Sequence, residues 1–529
     1  MTRPKLETSA SLGAQRISAV AVLLAASILL SRVLGFVREA VLAWQLGATA
    51  EVDAYRAAFQ IPDLLNYFLA GGALSIAFVP FYTRVRSRDG AEAAEQLLAK
   101  VLGTMTLIAI VATVALWWAA DALVALQFPR FAPETQALTV RLTRIVLPAQ
   151  IFFVAGGIIR AALMAHDRFG TQALAPLVYN AGIIAGGATF GSTLGAEGFA
   201  WGALAGAVIG PFLIPLVDAH LSVRLRVRLR LALFDRQFLA YLSVAAPLML
   251  GLTLLTVDEW YDRWFGALLA EGTVAHLGYA RQLMLLPVAV VGQAVATAAL
   301  PTLSRLWNEG RPEELNRVLT ATLSASIALA ALSAAVAIAL AEPIVALLYE
   351  RGRFGPADTV RVAGLLAVFA WAVPAWITQQ IAVRAFFARG DTWRPLIVGT
   401  VVALSAIPLY RMLGAHHGAE GLAMAGAIGI TVNALITLIV ARTLHGAPSL
   451  RRLAVTAARA GLIAVLAGFV AHLAATLPTT PLGRVLVGLI SFGVVALPAF
   501  WVFGDAPLRE VLRRNWQRLR RKPPSTGHS

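Results

Sequence analysis

The chain has 529 residues, 59% hydrophobic and only 14% charged, with a mean hydropathy of +0.74 and a formal charge of +16. Soluble proteins carry roughly 25% charged residues, so too few charges remain here to clothe several soluble domains, and a soluble enzyme is excluded. With no cysteine there is no disulfide framework, thiolate metal site or cysteine nucleophile, and the basic excess matches membrane-protein loops and argues against a nucleic-acid partner.

Fourteen apolar runs follow in chain order, at 17–43, 54–83, 101–127, 140–164, 171–192, 197–219, 238–269, 274–304, 316–349, 359–387, 394–413, 418–441, 453–476 and 483–504. Runs of about 20 apolar residues are membrane-spanning helices. The first follows Arg3, Lys5 and Arg16 as a signal peptide would. No small-residue cleavage site follows it, and an arginine-bearing stretch continues the helix, so it reads as an uncleaved span. With residues 1–16 cytoplasmic, the cytoplasmic segments carry 31 basic residues and the opposite connections 5, as the positive-inside rule requires. The fold class is therefore an all-α polytopic membrane protein of about 14 helices, with both termini cytoplasmic.

The stretches RAALMAHDRFGTQALAP (160–176) and RAFFARGDTWRP (384–395) share Arg-Ala, an apolar pair, a polar turn with Asp and a following Pro. They lie six spans apart, as expected for two six-helix lobes. The lobes are placed at 17–220 and 238–445, with a basic connection at 221–237, two additional helices at 446–505 and a basic tail at 506–529. The RLRVRLR run (224–230) alternates Arg with apolar residues and reads as an interfacial segment lying on anionic lipid. The tail from Leu508 to Lys522 reads as a basic amphipathic helix on the same membrane face.

Charges inside the spans are the candidate functional residues. An arginine at the bilayer centre costs about 2.5–3.5 kcal/mol on the insertion scale. The first span holds Arg32, Arg38 and Glu39; Arg32 and Glu39, seven apart, share one helix face. Arg38 and Glu39 admit a second reading, snorkelling at the interface. The second span begins with Asp53 and Arg56, an i,i+3 pair able to bridge, and continues through Pro62, Asp63, Asn66 and Gly71-Gly72. A broken helix with a carboxylate inside is expected beside a water-filled cavity; the alternative is a packing kink with Asp63 paired to a neighbour. In the seventh span Asp258 and Asp262 share a face and Glu259 and Arg263 the next. The two aspartates are suited to hold a cation or share a proton, or else form a charged wall balanced by Arg263. Arg281 in the eighth span has no acidic neighbour within a turn, so its partner must come from another helix or a ligand. The sequence contains no HExxH, GxSxG or GxxxxGK[ST] motif. It therefore reads as a secondary transporter, not an enzyme, with no cofactor and a coupling ion that the sequence does not name.

These residues also carry a resemblance. SRVLGFVREAVLA (31–43), Asp53, AFQIPDLLNYFLAGGALSIAFVPFY (58–82), ALAP (173–176) with Asn180, GYARQLMLLPVAVVGQAVATAALPTLSR (278–305), LLYERGRFGPADT (347–359) and FFARGDTWRP (386–395) resemble, in order, the MurJ/MviN lipid II flippases of the multidrug/oligosaccharidyl-lipid/polysaccharide exporter superfamily. The resemblance implies two six-helix lobes around a central cavity plus two C-terminal helices. It also implies carriage of the lipid-linked peptidoglycan precursor from inner to outer leaflet of the bacterial cytoplasmic membrane. Arg32 and Arg38 match the family's cavity arginines and Asp53 its acidic residue after the first helix. Three positions depart from the pattern: Asn66-Tyr67 replaces a basic residue, Gly71-Gly72 an acidic residue before glycine, and Gln282 the arginine, which stands one place earlier as Arg281. The implied partners are an undecaprenyl-pyrophosphate-linked sugar, anionic lipids at the basic loops and the cell-wall synthesis machinery. The rival readings are a flippase for another undecaprenyl-linked oligosaccharide, a drug/cation antiporter, and a non-transporting membrane scaffold.

Overall fold

The computed structural model describes residues 4–69, 73–254 and 257–503, with side chains described except at 4–22, 24–25, 73–76, 247–254, 257–259, 294 and 503. Gly71-Gly72 and the basic tail from Leu508 to Lys522 lie outside the described residues. Among the described residues every regular element is a helix.

The chain divides into two compact units, Met1–Ala275 with Arg351–Gly355, and His276–Glu350 with Pro356–Ser529. In the first run α1 (Pro4–Leu46), α2 (Ala50–Ala58), α3 (Gln60–Leu69), α4 (Ala73–Asp89), α5 (Ala91–Gln127), α6 (Pro133–Val146) and α7 (Ala149–Met164). They are followed by α8 (Gly170–Leu194), α9 (Ala196–Ala207), α10 (Ile214–Leu221), α11 (Arg236–Leu254) and α12 (Val257–Gly266). The division falls just inside α13 (Thr273–Pro287). The second unit continues with α14 (Ala294–Asn308), α15 (Pro312–Ala339), α16 (Ala341–Tyr349), α17 (Pro356–Ala370), α18 (Val373–Phe387), α19 (Trp393–His445), α20 (Leu450–Ala474) and α21 (Pro481–Phe503).

The first unit runs past the 221–237 connection at which the sequence suggests a lobe boundary. The cause is aromatic packing: Phe238 and Tyr241 of α11 are buried with Phe78, Leu97 and Leu102, and the Tyr241 ring meets Phe78 edge-on at 6.0 Å. Elsewhere in this unit glycines let backbones approach. A Cβ on Gly182 would stand 2.7 Å from the Gly206 Cα, and one on Gly186 2.7 Å from the Gly202 Cα. These G-x-x-x-G spacings on α8 and α9 are what van der Waals-driven helix pairing in lipid uses.

Breaks in the helices have local causes. A π-helical stretch, Val208–Leu213, contains Pro211, and a second, Val288–Gln293, follows Pro287; proline lacks the N–H that would close the i→i−4 bond. Gly418 sits at φ 58°, ψ −135° inside α19, a left-handed conformation natural to glycine. This kink separates the two expected spans 394–413 and 418–441.

Among the described residues nine helical stretches are long and apolar enough to cross a membrane, ten if α17 and α18, bent by 43°, are one span. The sequence expectation is about fourteen. The difference falls at α1 and α11–α12, whose side chains are described only in part, at α2–α4, which are three short helices, and at α19, where two spans follow one another across the Gly418 kink. Large apolar side chains that face outward, such as Leu462, Val465 and Phe469 on α20 and Ile490, Val494 and Leu497 on α21, give these helices the exposed apolar surface that lipid requires.

Candidate functional site

In the first unit, charges from separate helices meet. Glu39 of α1 is buried, its side chain only 4% exposed, and accepts from two arginines: Arg38 Nη2 at 2.9 Å and Arg56 Nη2 of α2 at 2.6 Å. Arg38 turns its other terminal nitrogen to Asn180 Oδ1 of α8 (3.3 Å). Asn180 is itself fixed by donating to the Pro176 carbonyl (3.0 Å) and to Ser31 Oγ (3.4 Å). Two cations on one carboxylate leave this trio with a net charge of +1. The Arg38 side chain remains 27% exposed, so the cluster is open at that residue.

A second pair joins α3 to α12. Arg263 Nη1 donates to Asp63 Oδ2 at 3.1 Å, and the Asp63 side chain is 33% exposed. Arg38 acts electrostatically on Asp63 as well, and Tyr55 of α2 feels Arg38, Glu39, Arg56 and Asp63 together. Tyr55 is wedged between Phe59 (4.9 Å) and Phe199 (5.9 Å), so the charges stand on a rigid aromatic support.

Asp53 has a different task. It is buried and accepts the backbone N–H groups of Gly272 (2.6 Å) and Ala275 (2.7 Å), capping the start of α13 from another helix. A carboxylate is suited to this position because the first N–H groups of a helix lack internal partners and carry partial positive charge. The i,i+3 bridge expected between Asp53 and Arg56 gives way to this cap and to the Arg56–Glu39 pair. Neighbouring Glu51 repeats the device, accepting the Ala196 N–H at the start of α9 (2.7 Å).

The remaining candidates fall as follows. Arg32 lies half-buried two turns before Glu39 on α1. Asp262 is buried on α12; the side chains of Asp258 and Glu259 lie outside the described ones. Arg281, in the second unit, is buried with its guanidinium carbon 5.2 Å from the Phe369 ring centroid. The sequence reading missed two links. Arg263 reaches a carboxylate 200 residues away on α3, and Glu39 serves Arg38 and Arg56. The signal was present in each case: an arginine and a carboxylate stranded in separate apolar spans must find each other or water.

A family profile described as lipid II flippase MurJ matches residues 42–490. The chain belongs to the lipid II flippase MurJ family. Among its relatives, a probable lipid II flippase MurJ of Rhizobium meliloti (strain 1021) is 28% identical over 417 residues, 77% of each chain. The lipid II flippase MurJ of Burkholderia cenocepacia is 27% identical over 421 residues, 78% of this chain and 81% of its own. In fold, the chain resembles a solved lipid II flippase MurJ in an inward closed conformation (TM-score 0.78, 24% identity, 93% of this chain and 100% of that one). It also resembles an inward-facing multidrug transporter of the MATE family (TM-score 0.68, 16% identity, 78% and 94%). It is thus a multi-pass membrane protein of the MurJ family. The profile covers Asp53, Arg56, Asp63, Asp262, Arg263 and Arg281 but begins after Arg32, Arg38 and Glu39.

Proposed function

We propose that this chain is a flippase that carries the lipid-linked peptidoglycan precursor, lipid II, from the inner to the outer leaflet of the bacterial cytoplasmic membrane by alternating access. Both its termini are cytoplasmic in this reading, and it works without a bound cofactor or ATP hydrolysis. The observation that carries the reading is the partly exposed Arg38, held in an apolar helix by Glu39 and Asn180.

The physical task is to move a pyrophosphate-bearing headgroup through a layer that excludes bare charge. A guanidinium is permanently charged and offers a planar fork matched to phosphate oxygens. Glu39 is the stand-in anion: it pairs with both Arg38 and Arg56 when the carrier is empty and yields their N–H groups to pyrophosphate when it is loaded. This exchange keeps binding reversible, because the empty carrier is never left with unpaired buried cations. Arg32 on the same helix is the second proposed phosphate contact, and Arg281 is the proposed substrate contact of the second unit. Asp53 acts at one remove, by fixing the start of α13. Asp262, with Asp258 and Glu259, is the proposed coupling site for an ion or proton.

Asn66 and Gln282 stand where the resemblance leads one to expect basic residues, and these departures favour a second reading, a flippase for another undecaprenyl-pyrophosphate-linked oligosaccharide. Complementation separates the two. Expression in a strain depleted of its own lipid II flippase restores growth if lipid II is the cargo. Failure to restore growth, with the protein present in the membrane at the normal amount, rejects lipid II.

A further inference from the structure

The arginine comb at 224–230 belongs to an extended strap, 222–235, clamped onto α5. Arg230 donates its backbone N–H to the Ala99 carbonyl, and Ala232 to Thr104 Oγ1, both at 3.0 Å. Lys100 locks the far end by donating to Asp235 Oδ2 (2.7 Å) and Gln237 Oε1 (3.1 Å). Gly103 makes the room, since a Cβ there would stand 2.5 Å from the Arg230 nitrogen. Leu225 is buried in the core with Phe238 and Tyr241, and Val223 and Val227 pack against it. The apolar side of the first half of the strap therefore faces the protein, where the sequence reading has it facing lipid.

What remains outside is a different surface. Arg224, Arg226, Arg228 and Arg230 are all exposed, and among the described residues none of the four has an ion pair. The nearby carboxylates are occupied: Asp235 by Lys100, and Asp218 by Arg168 (3.1 Å) and Ser222 (2.6 Å). From Leu229 onward the apolar residues also turn outward, with Leu231 63% and Phe234 92% exposed beside Leu229 and Leu233. This apolar run is held bare by a fixed backbone, directly beside a core that accepts Leu225.

We propose that the strap is a membrane-surface anchor: its four arginines bind the phosphates of an anionic leaflet while Leu229, Leu231, Leu233 and Phe234 enter the boundary between headgroups and acyl chains. The occupant is lipid because the strap leaves one membrane helix, α10, and enters another, α11, within fourteen residues, so it runs at headgroup level. Permanent cations interleaved with bare apolar side chains match that layer's two chemistries. The surface is independent of which headgroup the protein carries.

Because the chain has no cysteine, a single Leu231→Cys variant of the full protein accepts one environment-sensitive fluorophore. The protein is placed in nanodiscs of phosphatidylcholine alone or mixed with phosphatidylglycerol, with a Thr480→Cys label as control. The anchor predicts blue-shifted emission, quenching by brominated lipid and protection from iodide that rise with phosphatidylglycerol at the strap and not at Thr480. The apparent affinity for phosphatidylglycerol falls about fivefold for each of R224Q, R226Q, R228Q and R230Q at low salt, and the differences shrink in high salt. Iodide access that ignores lipid composition overturns the proposal, as does a quadruple variant, folded by its thermal unfolding, that responds like the parent. Protection seen in native membranes but absent from phosphatidylglycerol discs overturns it in favour of a protein partner.

Discussion

Glu39→Gln removes the one carboxylate shared by Arg38 and Arg56, and the structure sets the scale of the loss. At the effective dielectric constant of about 20 that suits protein sites, each charge pair near 4 Å is worth about 4 kcal/mol. Part of this is returned because Glu39, only 4% exposed, no longer has to be desolvated. Breaking one side of a buried pair costs about 3–5 kcal/mol overall, and Glu39→Gln should lose that amount. The double variant Arg38→Gln, Glu39→Gln should recover about half or more, because the cluster keeps its net charge of +1 on Arg56 and no longer opposes two cations. The assay is thermal unfolding of purified protein in nanodiscs, followed by tryptophan fluorescence, with the two single variants closing the cycle. An unfolding temperature for Glu39→Gln equal to that of the parent would refute the reasoning. So would a double variant less stable than Glu39→Gln alone.

Asp53→Ala should remove two charge-assisted bonds at the start of α13, about 3 kcal/mol together, and the Gly272 and Ala275 amides should exchange with solvent markedly faster; unchanged protection there would contradict the capping role. Gly156→Ala would drive a Cβ into the Pro211 carbonyl that Arg160 also holds (2.7 Å), and should cost about 1–3 kcal/mol, whereas Gly170→Ala, with nothing within 4 Å, should cost far less in the same unfolding assay. The hydrogen bond from Lys100 holds the Asp235 carboxyl below its usual range against the opposing pull of burial, helped by the Gln237 and Phe238 N–H groups. Its contribution is complete above the unfolded carboxyl pKa of about 3.9 and is lost as pH falls through the lower folded value; at 29% exposure it is worth less than about 1 kcal/mol. Asp235→Asn should therefore flatten the acid side of the stability curve and leave its shape near neutrality unchanged. For topology, a cysteine at Ser87 should resist an impermeant reagent added outside intact cells, and labelling there would reject the cytoplasmic assignment.

The helical class and the family were legible in the sequence because apolar run length and motif order are properties of the chain itself. Arg38, Glu39, Asp63 and Arg263 stood out for the same reason, as charges in apolar spans. Their partners were not legible: Arg263 meets Asp63 only through the tertiary contact of α12 with α3, and helical spacing reports neighbours on one helix alone. Glu39 shares a helix face with Arg32 in the sequence, whereas its pairing with Arg38 and Arg56 is set by the fold. The Asp53 cap was hidden because its donors are backbone N–H groups, which leave no mark in sequence. The glycine spacings at Gly182-Gly186 and Gly198-Gly202-Gly206 are legible in the sequence, but that they bring α8 and α9 into backbone contact is a property of the fold. The strap was half legible: alternation predicted one buried apolar face, but whether protein or lipid buries it depends on Gly103 and α5.

The most direct test of the central claim, that the arginines of α1 carry the pyrophosphate headgroup, is the rate of lipid II translocation in proteoliposomes by the double variant Arg38→Gln, Glu39→Gln. That variant keeps the charge of the cluster and a folded helix bundle, so stability and substrate contact come apart. The account predicts translocation reduced about tenfold or more, with Arg38→Lys intermediate because an ammonium keeps the charge and loses the fork, and a similar loss for Arg32→Ala. Translocation at the parental rate by the folded double variant would contradict it.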